Sequence, residues 1–175
     1  MNNELISVIA NVALTLSFIV AVIFGIAQVR AAAQDRKERL TLETLRTFQT
    51  REFAELSLYI NSHELPATRA GMAGMPLSEQ AILFQFGQEM EGLGMLVAER
   101  LIDIDLVDKT LGSFVATSWE KYKPLFEDIR ESAPDPYLGE YFQWLAETIG
   151  DEMEKNPRKP FYKEHTHLKR KKHKH

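Results

Sequence analysis

Residues 5–29, LISVIANVALTLSFIVAVIFGIAQV, run without a charged residue or a proline between Glu4 and Arg30. At about 1.5 Å per residue, a helix of that length crosses a bilayer core of about 30 Å with some tilt. The stretch therefore sets the terms for the rest of the chain, which is expected to be held at a membrane surface. A cleaved signal peptide is the competing reading, and it fits less well. Signal peptides carry a basic n-region and a shorter apolar core, ~7–15 residues, before a small-residue cleavage site. Here the n-region Met-Asn-Asn-Glu has no lysine or arginine, and Ala31-Ala32-Ala33 follows Arg30 and an overlong apolar core. An uncleaved anchor over residues 1–30 is expected.

Lysine and arginine placement orients such a helix. Arg30, Arg36, Lys37 and Arg39 follow the span and none precedes it, so the amino terminus is expected outside and the remainder in the cytoplasm. Within the span, Ala13, Ser17, Ala21 and Gly25 recur every four residues and stack small side chains along one face. A second membrane helix approaches closely over such a face. Asn11 and Thr15 add polar groups there. Self-association through this face is an expectation, set against the general abundance of small residues in membrane helices.

Composition narrows the chemistry. With no cysteine, the chain has no disulfide, zinc–thiolate site, iron–sulfur cluster or thiol nucleophile. The net charge of −4 hides an asymmetry: residues 158–175 carry +7 and residues 1–157 carry −11. The basic tail, with Lys169, Arg170, Lys171, Lys172 and Lys174 at its heart, is expected to meet anionic lipid or the chain's own acidic body. It lacks the interleaved aromatic residues that would favour nucleic acid.

Beyond the span, helical patterns follow one another and no convincing strand appears. Nothing between Arg30 and Ile60 is a proline or glycine, and Leu42, Leu45, Phe53, Leu56 and Ile60 fall on one narrow face. One helix continuous from the membrane to about Ile60 is the simplest expectation, with a break near 34–37 as an alternative. Asn61 to Pro66 reads as a stop, with Asn61 as a left-handed cap, and the segment to Pro76 as a loop. A helix from about Pro76 carries the stripe Ile82, Phe86, Met90, Leu93 and Val97, continuing to Leu101. Gly87 and Gly94 at its edge are expected where another helix comes close. Asp105 is the expected N-cap of the next helix, with Val107, Leu111, Phe114, Val115 and Tyr122 buried and Pro124 ending or kinking it. Asp135-Pro136 then starts a last helix with Tyr137, Tyr141, Trp144, Leu145 and Ile149 on one face and Gly150 as its stop. The expected fold is all-α: a transmembrane helix joined to a small cytoplasmic bundle over residues 31–150, then a disordered tail over 151–175.

No catalytic constellation stands out. His63 stands alone, and His165, His167, His173 and His175 lie among cations that oppose metal binding, so no metal or cofactor is expected. A di-metal bundle would need Glu-x-x-His pairs on facing helices, and none exists. Asp103, Asp105 and Asp108 lack the glycine and distal glutamate of a calcium loop, and helix capping explains them. Gly71-Met-Ala-Gly74 lacks the lysine and strand of a phosphate loop. Ser113 and Ser118 have no Gly-x-Ser-x-Gly context.

Several stretches do resemble an uncharacterised bacterial family, domain of unknown function 4760. They are the span running into Arg30–Arg39, Glu91-Gly92-Leu93-Gly94 through Leu101, Ser118-Trp119 with Tyr122 and Pro124, Arg130, and Glu140-Tyr141-Phe142-Gln143-Trp144-Leu145-Ala146. The resemblance covers most of residues 1–150 and implies membrane anchoring and a helical domain; it brings no activity and no functional residues. With the orientation argument, it leads to a single-pass protein of the bacterial inner membrane. The expected function is a protein-interaction or scaffolding module that self-associates, with Trp119, Trp144, Tyr137 and Tyr141 as candidate contacts where exposed. A ligand-sensing or enzymatic helical domain with its pocket in the bundle is the competing class.

Overall fold

The computed structural model describes residues 2–132, 135–160 and 163, and the basic tail residues Lys169–Lys172 and Lys174 lie outside that range. Six helices and no strand occur among the described residues: α1 (Asn2–Thr47), α2 (Arg51–Ser62), α3 (Arg69–Ala73), α4 (Leu77–Ala98), α5 (Ile104–Ser132) and α6 (Glu140–Lys155). The all-α expectation holds.

α1 is a single helix of 46 residues, about 69 Å long at 1.5 Å per residue. It is long and apolar enough to cross a membrane, and its apolar segment is not buried against any of the described residues. Helical geometry runs unbroken through 34–37. The expected continuation to Ile60 fails, however. The chain turns at Phe48–Thr50, where Thr50 takes an extended conformation and its hydroxyl accepts a hydrogen bond from the Phe53 amide at 3.2 Å. A threonine cap satisfies a free amide at a new helix start without proline or glycine. The turn lets Phe53, Leu56 and Ile60 bury against the bundle, while Leu45 is buried from α1 and Leu42 stays 53% exposed.

α2 ends at Ser62 with His63, not Asn61, as its cap, and in an extended rather than left-handed conformation. The Lys121 ammonium serves its last carbonyls, donating to Ile60 O, Asn61 O and His63 O at 2.7, 3.0 and 3.2 Å. A cation there also meets the negative end of the helix dipole. The expected loop before Pro76 holds the short helix α3, capped by Thr68 and holding Met72 buried.

The bundle proper is α4, α5 and α6. Phe86, Met90, Leu93 and Val97 are buried on α4 as expected, but Leu83 replaces Ile82 in the core and Ile102 replaces Leu101. α5 begins two residues earlier than expected, with Asp103 rather than Asp105 capping it through the Leu106 amide at 3.2 Å. Pro124 does not end it: α5 runs 29 residues to Ser132. Proline in a helix costs about 3 kcal/mol, a loss offset by burial of Leu125 and Phe126 immediately after it.

α6 starts at Glu140, four residues later than the expected first-turn Pro136. Asp135 accepts from the Tyr137 amide at 3.1 Å in a side-chain turn, and Gly139 enters the helix at φ 71° with the Phe126 ring against it. Glu91 on α4 supplies the cap that Gly139 lacks, accepting from the Phe142 and Tyr141 amides at 2.8 and 3.3 Å. Gly94, one turn on, faces the Tyr141 backbone, and a methyl group there would collide with its carbonyl. Both expected glycine contacts are present, since Gly87 lies against Phe126 and Tyr122. The buried face of α6 is Phe142, Leu145, Ala146 and Ile149. Gly150 does not stop the helix, which reaches Lys155 in the stretch expected as tail. Arg158 then pairs with Asp108 at 3.0 Å.

The core is strongly aromatic. Phe86 stacks on Tyr122 at 5.4 Å, and Phe142 meets Trp119 edge-on at 5.2 Å. Burial pushes the Tyr122 phenol well above its ordinary range, while its hydroxyl donates to Leu83 O at 3.1 Å.

Two outcomes follow for the full-length protein in detergent, read by urea unfolding. Gly94→Ala lowers stability by about 2 kcal/mol or more through overpacking. Gly92→Ala, where a Cβ meets nothing within 4 Å, raises it by up to about 1 kcal/mol. Because the folded Tyr122 pKa lies above its unfolded value of 10.0, its stabilisation is complete below pH 10 and lost above it. Stability therefore falls by about 1.4 kcal/mol per pH unit above that point, and Tyr122→Phe flattens the slope.

Candidate functional site

The residues where α1 leaves its apolar segment and meets the bundle form a connected polar arrangement. Thr41 is fully buried. Its hydroxyl donates to Lys37 O at 2.7 Å and accepts from the Asp103 amide at 3.0 Å. Asp103 caps α5 with one carboxylate oxygen and faces the Lys37 ammonium with the other at 3.5 Å. α1 is thus fastened to the α4–α5 turn at Thr41 and Lys37, before the break at Phe48–Thr50.

The α4–α5 turn has an unusual occupant. Leu101 N donates to Leu96 O at 3.0 Å and Arg100 N to Val97 O at 2.9 Å, the bond pair of a Schellman ending. Arg100 holds the left-handed position at φ 59°, which costs a non-glycine residue about 1 kcal/mol. It is the only non-glycine with positive φ among the described residues. Between this turn and α1 opens a notch of about 1030 Å³. Arg30, Arg36, Lys37, Arg39 and Arg100 line it against one carboxylate, Asp35, with Leu101 at its edge 47% exposed. No described carboxylate pairs with Arg30, Arg36, Arg39 or Arg100.

A second cavity, about 100 Å³, lies between α4, α5 and the turn into α6. Its walls are apolar: Met72, Leu83, Phe84, Phe126, Ile129 and Leu138, opened by Gly87 and Gly139. Glu91 also borders it, but its carboxylate is committed to the α6 amides. Among the described residues no three histidine, aspartate or glutamate side chains converge as metal ligands.

The sequence-derived candidates fall in different places. Ala13, Ser17, Ala21 and Gly25 lie exposed on α1, and a Cβ at Gly25 would meet nothing within 4 Å. Of the aromatic candidates, Trp119 is buried in the core and Tyr141 is half-buried, while Tyr137 and Trp144 are 69% and 40% exposed. The notch was missed because Leu101 reads as the end of a buried stripe and Arg100 beside it was not singled out. The signal that points to it is an arginine where the end of a helix calls for glycine.

Thr41→Val leaves the part-buried Asp103 amide without its acceptor. The full-length protein should lose about 1–2 kcal/mol of stability, measured by thermal unfolding in detergent.

The residues whose resemblance was noted in the sequence hold the bundle together. Glu91 caps α6, Gly94 admits its backbone, and Trp119 and Tyr122 sit in the aromatic core. Arg130 donates to Leu138 O and to the Gln143 amide oxygen, each at 2.7 Å. No curated protein and no solved structure matches the chain. One family profile, described as a domain of unknown function (DUF4760), matches residues 15–149, from within the apolar segment of α1 to near the end of α6. The chain belongs to that family.

Proposed function

We propose that this protein is a single-pass protein of the bacterial inner membrane, with its amino terminus outside, whose cytoplasmic helical domain is a protein-interaction or scaffolding module that self-associates through α1. The observation that carries this reading is apolar surface left uncovered. The apolar segment of α1 is left exposed by the described residues, its small-residue face included. On α4, Leu77, Phe84 and Met95 are 82%, 53% and 38% exposed. Residues seven and eleven apart project from one side of a helix, so these three form a stripe. The filled aromatic core and the small apolar cavity support an interaction module over an enzyme. Ligand sensing is the second reading, favoured by that same cavity, which has room for a small apolar group.

Two measurements test the proposal. In a membrane reporter carrying α1, Ala21→Leu and Gly25→Leu should weaken self-association by about fivefold, or about 1 kcal/mol, if small-residue packing holds the pair. In native membranes, a photo-crosslinker at Phe84 should capture a second copy or a discrete protein partner. Undiminished pairing by the leucine variants, together with no product from Phe84, would remove the support for this reading.

A further inference from the structure

We infer that the notch between α1 and the α4–α5 turn binds the headgroup of an anionic phospholipid, with Arg100 reaching across from the bundle to complete a site begun by Arg30 and Arg36 on α1.

Position is the first argument. Arg30 directly follows the apolar segment, and Arg39 lies about 15 Å beyond Val29 along the helix. That interval covers the headgroup layer of a bilayer and the side-chain reach just past it. The fastening of Asp103 to Thr41 and Lys37 keeps the α4–α5 turn beside this part of α1. Arg100 is thereby set at a membrane surface although more than sixty residues separate it from Arg36.

Charge and shape are the second. Basic residues just after a span attract anionic lipid diffusely. Here cations from two elements line one concavity with a single carboxylate among them, and four of the five have no described ion-pair partner. A headgroup phosphate suits guanidinium groups, which grip it through paired N–H donors. Leu101, exposed beside Arg100, adds apolar surface where the headgroup meets the acyl chains.

Arg100 itself is the third. Glycine would satisfy the same two turn bonds without the cost of the left-handed conformation, so the fold gains nothing from the arginine. Its side chain lines the notch. The site rests on α1 crossing the membrane, and the test separates the two.

Because the chain has no cysteine, Ala31→Cys places a single environment-sensitive fluorophore beside the notch. The full-length protein is incorporated into nanodiscs of neutral phosphatidylcholine, and co-elution with lipid first establishes insertion; failure there defeats the membrane reading itself. Phosphatidylglycerol is then titrated in as a fraction of the lipid, and inorganic phosphate is added to neutral discs in a separate arm. Phosphatidylglycerol should give a saturating response that inorganic phosphate does not reproduce. Arg100→Gly should weaken it by about fivefold, the effect of one cation at an anionic surface, with the melting temperature unchanged or raised. Arg36→Gln should shift the response in the same direction. A wild-type titration curve for Arg100→Gly would overturn the site, reducing the response to diffuse attraction by α1. An equal response to inorganic phosphate in neutral discs would also overturn it, by making the ligand a free anion.

Discussion

The approach of α6 to α4 at Gly94 is the contact on which the bundle depends. Two helices pack at 8–10 Å when side chains separate them, and closer only where one offers no Cβ. At Gly94 the other party is the Tyr141 backbone itself. That closeness brings the first free amides of α6 within reach of Glu91, one turn earlier on α4. A carboxylate at a helix start satisfies orphan donors and meets the positive end of the dipole, so one glycine and one glutamate fix both the position and the direction of α6. Phe142 then enters the ring cluster of Phe86, Trp119, Tyr122 and Phe126, and Leu145 and Ile149 close the core behind it. Arg130 secures the same corner from α5 by holding Leu138 O.

The second constraint is where α1 breaks. A helix running on to Ile60 would carry Phe53, Leu56 and Ile60 along the axis of α1 and away from α4. The cap at Thr50 redirects them, and Phe53 comes to lie 6.1 Å from Phe86. The junction with α5 lies on the span side of this break, so the apolar segment and the residues that hold the bundle share one uninterrupted helix.

Much of this was legible in the sequence, and what was not has definite causes. The apolar run and the period of the stripes on α4 and α5 carry helix type and most of the core, because a helix buries every third or fourth residue whatever its neighbours are. The close approach at Gly94 was also legible, since an interior glycine in a helix costs stability that only packing returns. Boundaries were less so. Thr50 looks like any polar residue in a helix until the seam after it needs to turn. Pro124 reads as an end or kink and Gly150 as a stop because local propensity disfavours them, and tertiary burial of Leu125, Phe126 and Ile149 overrides it. On α6 Leu145 and Ile149 were placed correctly, but Tyr141 was taken for Phe142 and the exposed Tyr137 and Trp144 were counted on the buried face, because aromatic residues lie on both sides and only the neighbouring helices distinguish them. Arg100 at a helix end was the one local hint of the notch, whose other half was hidden because Arg30–Arg39 join it through a fold contact at Thr41 and Asp103 that no local pattern records.

The continuity of α1 ties the two proposals together geometrically. At about 100° per residue, the mean direction of Ala13, Ser17, Ala21 and Gly25 lies roughly 140° around the helix from that of Lys37, Thr41 and Leu45, the residues that hold the bundle. The small-residue face and the bundle therefore project from nearly opposite sides of α1. Two copies paired through their spans would carry their bundles outward, without the clash that a shared side would impose. By the same count Arg36 lies about 80° and Arg39 about 20° from the small-residue direction, so the notch reaches round toward the paired side just beyond the span. A headgroup bridging Arg36 and Arg100 would then act on the angle between α1 and the bundle, at the end of the span where the paired face leaves the membrane. Lipid composition and span pairing would thus meet at the membrane-surface end of the same helix, one bearing on the tilt of the domain and the other on its neighbour.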